Sequence, residues 1–296
     1  MAKSTIELSE IELRSIILSH GWYTLKPFQA NSHPPSITVA YSLPTSSGVL
    51  TINGGKSKCF SEITSSNKKE GRLILSNILS LDISKPLHNE KVCNTKKWNW
   101  IKERKLGRML RSPTLFEDCF KAICATNTTW KRTVGMVAST IAKYGENIGE
   151  TKAFPLPKIL LRINEKDLKT NTSCGFRARY FKHLCKIASQ NEDIFLYDGW
   201  KSLSSSAFLT LLNQIKGIGP VSVGYISRLY GKPCGYAIDS YVIRRCRDLW
   251  KISRSEIEQF AIKRYKRFGE QSPLAFWFEL TKHWYDVEVD SSNEEF

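Results

Sequence analysis

The sequence predicts an α+β protein: a small antiparallel αβ domain at the N-terminus, then a wholly helical body. Two observations carry this. Residues 22–65 hold the β-prone runs PPSITVAYSL and SGVLTING, parted by Pro, Ser and Gly turns. From about residue 106, apolar residues recur at three- and four-residue intervals, the period of a helix. The 296 residues suffice for one large or two modest domains with a sizeable core. A composition of 41% hydrophobic and 24% charged residues is that of a soluble globular chain.

Taken in order, STIELSEIELRSIILSHG (4–21) reads as a short helix capped by Ser4 or Thr5 and ended by Gly21. The two β-prone runs then form a small antiparallel sheet, and SNILSLDIS (76–84) supplies another element. The charged, Trp-containing segment 94–105 is the expected linker, which places a small αβ domain at 1–98 and the helical domain at 99–284. In 112–127, Ser112 is the expected N-cap and Pro113 the first helical residue, with Leu115, Phe116, Cys119, Phe120 and Ile123 on one face. A second helix spans 128–145 and closes on Gly145. PLPKILLRI, FRARYFKHLCKIASQ and SSSAFLTLLNQI add three more, and SRSEIEQFAIKRYKRFG and SPLAFWFELTKHWYDV follow later. An acidic tail, 285–296, ends in DSSNEEF and is expected to fray.

The formal net charge is +16, spread along the chain as in KKWNWIKERKLGRMLR (96–111) and IKRYKRF (262–268). Basic residues interleaved with aromatics point to a nucleic-acid partner. The eight cysteines form no CxxC pair and lack zinc-finger spacing. No stretch has the pattern of a signal peptide or a membrane span. The reading is a reduced intracellular protein, in cytoplasm, nucleoid or nucleus, without a membrane partner.

The most specific stretch is LNQIKGIGPVSVGYISRLYGKPCGYAIDSYVIRRC (212–246). Gly217 and Gly219 flank Ile218 between two short helices. Glycine allows positive φ and close backbone approach, and N–H groups at a helix start attract anions such as a DNA phosphate. Asp239 follows Gly219 by twenty positions and opens another helix, where Asp favours the N-cap. A carboxylate so held among apolar neighbours is fixed, partly desolvated, and suited to stabilising a sugar cation and orienting a water.

The hairpin, the spacing and the apolar setting of Asp239 resemble the helix-hairpin-helix (HhH-GPD) DNA glycosylase superfamily. LRSPTLFEDCFKAICATNTTWKRT (110–133), CGFRARYFKHL (174–184) and FGEQSPLAFWFELT (268–281) are similar to segments of its 8-oxoguanine and alkylbase branch. The resemblance covers about 106–284, and GWYTLKPFQ (21–29) is similar to the start of a TBP-like αβ domain. It implies a monomer that flips a damaged base out of double-stranded DNA. It also implies a catalytic Asp239, a phosphate contact at Lys216, Gly217 and Gly219, and no required cofactor. Asn127 would fill the vacated stack, Arg132 and Arg177 would hold the orphaned base, and Phe176 would wedge the duplex. A monovalent cation often sits at the hairpin carbonyls in this superfamily.

The departures narrow the chemistry. Val221 stands where lyase members carry a nucleophilic lysine. By the resemblance Tyr225, Tyr241 and Phe276 stand at base-pocket positions in place of Cys, His and Gln, and Leu280 in place of a pocket Phe, which removes polar readout and adds aromatic surface. Aromatic walls favour an electron-poor alkylpurine over 8-oxoguanine through cation–π attraction. Only Cys246 follows Asp239, too few for a four-cysteine iron–sulfur cluster. The expectation is monofunctional hydrolysis. A glycosylase/lyase with a displaced lysine and a non-catalytic DNA-damage binder are the alternatives.

Overall fold

The structure, a computed structural model, describes residues 4–286. The acidic run 290–296 lies outside the described residues.

Five strands, β1 (Ser4–Ile6), β2 (Gln29–Ser32), β3 (Pro35–Ser42), β4 (Ser47–Asn53) and β5 (Cys59–Ser65), form one antiparallel sheet in the order β1-β5-β4-β3-β2. Both runs expected to be strands are central in it, because Ile37, Val39, Leu50 and Ile52 alternate with polar residues and are buried. Helices α1 (Glu10–Ile17) and α2 (Lys68–Ile78) pack against the sheet.

The structure corrects several local expectations. Ser4 and Thr5 lie in β1, paired with β5, and Ser9 caps α1 by accepting the Glu12 N–H at 3.3 Å. The helix stops at Ile17, and Gly21 instead opens a 3-10 turn, Gly21–Thr24. The first residues of the 76–84 stretch belong to the end of α2. Finally, the expected linker contains α3 (Asn99–Glu103), with Trp98 and Ile101 buried. The Trp98 ring meets Phe268 edge-on at 5.1 Å and Tyr265 at 5.6 Å, so apolar burial outweighs the charge of its flanks.

The helical body comprises α4 (Leu115–Ala125), α5 (Trp130–Tyr144), α6 (Pro157–Arg162), α7 (Glu165–Thr172), α8 (Ala178–Gln190) and α9 (Glu192–Leu196). It continues through α10 (Ser205–Asn213), α11 (Pro220–Leu229), α12 (Ser240–Trp250), α13 (Ile257–Tyr265) and α14 (Ser272–Leu280). Thr114, rather than Ser112, caps α4 by accepting the Glu117 N–H at 3.2 Å. The Ser112 hydroxyl accepts the buried Lys121 ammonium at 3.0 Å.

One hydrophobic core runs from the sheet through the helices. Two buried charges join its halves. Asp118 of α4 is fully buried and accepts three hydrogen bonds: Trp22 Nε1 at 2.6 Å, the Ser112 N–H at 3.0 Å and the Tyr230 hydroxyl at 2.8 Å. Arg111 donates to both carboxylate oxygens of Asp82, at 2.6 and 3.2 Å, and to the Leu229 carbonyl at 2.7 Å. Its guanidinium also lies 4.8 Å from the Tyr230 ring centre.

Removing the Asp118 carboxylate leaves three buried donors unpaired. Asp118→Ala is expected to lower unfolding free energy by about 3 kcal/mol or more in urea titrations. Glu7→Ala, which breaks an exposed ion pair with Lys58, is expected to lose less than about 1 kcal/mol in the same measurement. Similar losses in the two variants would contradict the assigned role of Asp118.

Candidate active site

The glycine turn lies between α10 and α11 and is anchored by buried Ile215 and Ile218. Gly217 has φ +93°, and a Cβ there would lie 2.7 Å from the Tyr180 ring of α8. Both facts restrict the position to glycine. Gly219 begins α11, and nothing lies within 4 Å of where its Cβ would be, so the turn opens to solvent there. The Lys216 N–H donates to His183 Nδ1 at 3.2 Å. Among the described residues, the Lys216, Gly217 and Ile218 carbonyls accept no backbone hydrogen bond, so oxygen ligands that fit a monovalent cation are available.

Val221, Tyr225 and Arg228 follow at i, i+4 and i+7 on one stripe of α11. Val221 is exposed, Tyr225 half-buried and Arg228 buried. Beside the first turn opens a cleft of about 710 Å³, lined by Pro220, Val221, Tyr236, Ile238, Arg254 and Glu258 among others. Asp239 caps α12, its Oδ1 accepting the Val242 N–H at 2.8 Å. Its Oδ2 has no hydrogen-bond partner among the described residues. The side chain is fixed as expected, but it is exposed rather than desolvated.

Tyr241 packs against Trp277 at 6.0 Å and Trp284 at 5.5 Å between ring centres. Burial pushes its hydroxyl up to about 12, and that oxygen is buried without a partner. Of the expected pocket residues Val221 lines the cleft, while Tyr225, Tyr241, Phe276 and Leu280 do not. Phe276 packs with Tyr236, Trp250 and Tyr265 in the core, and Leu280 is fully buried. Trp277, one residue on and about 100° around the helix, faces Tyr241 and Arg228 instead.

A second group surrounds the end of α4. Asn127 is exposed at φ +47°. Arg177 is buried rather than directed outward. Its guanidinium donates to the Ile123 carbonyl at 3.2 Å, to the Thr126 carbonyl and to the Asn127 carbonyl at 3.4 Å. These carbonyls lie at and just beyond the end of α4, so Arg177 ties the Asn127 loop to the helix end. Phe176 is 49% exposed, stacked on Arg177 at 4.6 Å, and Arg132 is exposed. Phe176 is therefore a surface aromatic rather than a core residue.

No protein-family model and no curated protein sequence matches the chain. Solved structures do match over nearly the whole length of both chains. MBOgg1 in complex with a low-affinity DNA ligand has a TM-score of 0.68 at 19% identity, covering 96% of this chain and 99% of that one. The 3-methyladenine DNA glycosylase of Archaeoglobus fulgidus has a TM-score of 0.70 at 18% identity, covering 98% and 100%. The Clostridium acetobutylicum 8-oxoguanine glycosylase/lyase, bound to double-stranded DNA with cytosine opposite 8-oxoguanine, has a TM-score of 0.68 at 16% identity, covering 97% and 98%. The fold is that of the helix-hairpin-helix DNA glycosylases.

In this glycosylase fold, the N-terminal domain contributes to the site, which the motifs did not indicate. The Trp22 ring lies 5.0 Å from Tyr225, and Trp277 Nε1 donates to the Ser19 carbonyl at 2.8 Å. His20 Nε2 meets the Leu110 carbonyl at 2.7 Å and must donate there. Its Nδ1 therefore accepts the Tyr225 hydroxyl at 2.5 Å. Burial lowers His20 to about 3, keeping it neutral. Arg228 was also missed. The available signal was a cation at i+7 on an otherwise apolar helix face.

Among the described residues, no helix is long and apolar enough to cross a membrane, and no three His, Cys, Asp or Glu side chains cluster as metal ligands. All eight cysteines are free thiols.

Two outcomes are expected. Unfolded His20 takes up a proton as pH falls through its ordinary value of 6.5, while the folded residue resists until about 3. Its contribution to stability is therefore complete above that ordinary value and is lost toward acid at about 1.4 kcal/mol per pH unit. The stability gap between wild type and His20→Gln should shrink accordingly in urea titrations from neutral to acid pH. A gap constant with pH would contradict the neutral buried ring. At the hairpin, Gly217→Ala should destabilise by about 1–3 kcal/mol, whereas Gly219→Ala should lose less than about 1 kcal/mol.

Proposed function

We propose that the protein is a monofunctional DNA glycosylase that hydrolyses the N-glycosidic bond of a damaged base flipped out of double-stranded DNA. The observation that carries the reading is the pairing of Asp239 with Val221. A carboxylate with one uncommitted oxygen stands at the α12 cap, and an apolar side chain occupies the exposed start of α11. Valine supplies no amine for a Schiff base, which leaves water as the nucleophile.

In the step itself, water oxygen bonds to the sugar C1′ and the C1′–N bond breaks. Its electron pair leaves with the base. Asp239 carboxylate stabilises the positive charge that develops on the sugar and accepts the water proton. The departing base takes a proton from solvent, and the products are free base and an abasic site.

The surface groups support this reading. The net charge of +16 suits a polyanion. The open backbone at Gly219 admits a phosphate, with Lys216 beside it. Phe176 would enter the stack, Asn127 would fill the space left by the flipped base, and Arg132 would reach the orphaned partner. Arg177 would serve by holding the Asn127 loop. A cation at the hairpin carbonyls, when bound, would add positive charge toward the phosphate.

Asp239→Asn tests the mechanism cleanly, because Asn is an equally good N-cap and only the charge is lost. The variant is expected to retain duplex binding and lose at least about 100-fold in base release, scored as alkali-labile abasic sites. Turnover at the wild-type rate would sink the mechanism. Borohydride added during turnover on an abasic duplex should trap no covalent complex. A trapped adduct would mean that a lysine acts after all.

A further inference from the structure

Arg228 is 4% exposed, yet its Nε and Nη2 are buried with no acceptor. The guanidinium lies 4.4 Å from the Trp277 ring centre and 5.4 Å from that of Tyr225. Among the described residues it makes no ion pair. Burial lowers it only to about 10, so it stays charged at neutral pH, and the field of Asp239 reaches it. A buried cation with unused donors is unfavourable in the free protein unless something else supplies the acceptor.

The surroundings indicate what that acceptor is. Tyr225 gives its hydroxyl proton to His20, so it offers the site ring surface and no donor. Tyr241 and Trp277 present aromatic faces, and the Trp277 N–H is committed to Ser19. The Tyr241 hydroxyl is also unpaired, so Arg228 is the charged donor among these aromatic groups and Tyr241 a neutral one.

Resting on the glycosylase reading above, we propose that Arg228 determines specificity by donating to the carbonyl or ring-nitrogen edge of an uncharged flipped base. An uncharged base leaves with the bonding pair as an anion, and a desolvated guanidinium offsets that charge. A cationic alkylpurine leaves as a neutral molecule and meets like charge at Arg228 on entry. The aromatic walls alone favoured the cationic alkylpurine, and Arg228 reverses that preference.

The test is single-turnover base release from duplexes carrying hypoxanthine, 8-oxoguanine or 7-methylguanine, each corrected for spontaneous loss. Wild type should accelerate release of at least one neutral base more than release of 7-methylguanine. Arg228→Met should slow release of that neutral base by about 100-fold, with 7-methylguanine changed by less than about threefold. Arg228→Lys keeps the charge without the planar fork, and provides the comparison if the methionine variant folds poorly. It should lose about tenfold on the neutral base and keep the preference. Equal loss on both classes, or no loss on the neutral base, assigns Arg228 a packing role and overturns the proposal. So does a wild-type preference for 7-methylguanine. Release of no base from a wider lesion panel would instead overturn the hydrolase reading, and this inference with it.

Discussion

Asp118 holds the molecule in register. A carboxylate without water around it must find its hydrogen bonds within the protein. It takes them from an indole of the N-terminal domain, the backbone before α4 and a phenol at the end of α11. Ordinary apolar packing could slide by a fraction of a side chain with little loss. Three directional bonds to one buried charge cannot. Arg111 applies the same constraint nearby, tying the residues after α2 to the last carbonyl of α11 through a bidentate pair and two aromatic faces.

That register sets the chemistry of the site. With Trp22 fixed by Asp118, the neighbouring His20 is held under Tyr225, and a neutral imidazole fixes the direction of the phenol proton. Trp277 is fixed in turn by the Ser19 carbonyl. The contacts that fix Tyr225 and Trp277 therefore come from both parts of the chain, and most of the polar groups around them are committed. Arg228, the Tyr241 hydroxyl and Asp239 Oδ2 are exceptions, and Arg228 is the one buried cation among them.

Positive charge divides by burial. Arg111 and Arg177 are inside and satisfied, one by a carboxylate and the other by helix-end carbonyls, and both act on the protein itself. Lys216 and Arg132 are outside, exposed to solvent. The RAR motif of residues 177–179 illustrates the difference. Arg177 is buried under the α4 end while Arg179 is exposed, because a half-turn of helix reverses the direction of a side chain.

Much of the fold and part of the site were legible in the residues. The strands of the central sheet, most helices, the glycine hairpin and the Asp239 cap follow from signals carried within a few positions: alternation, helical period, turn chemistry and side-chain capping. Gly217 illustrates this, since a tight turn needs positive φ whatever surrounds it. Cap choice among neighbouring Ser and Thr residues was less legible, because Ser112 and Thr114 offer the same local chemistry and only Lys121 separates them. Which face of α14 meets the site was not legible at all, because apolar residues surround Phe276 and Trp277 on that helix. Contacts across long sequence separations decided that face, the inward turn of Arg177, the neutrality of His20 and the isolation of Arg228. The sequence by itself determined the local geometry of the hairpin and its aspartate. Only the tertiary structure decided what faces them, because burial and hydrogen-bond satisfaction are properties of a place in space that no short stretch of chain carries.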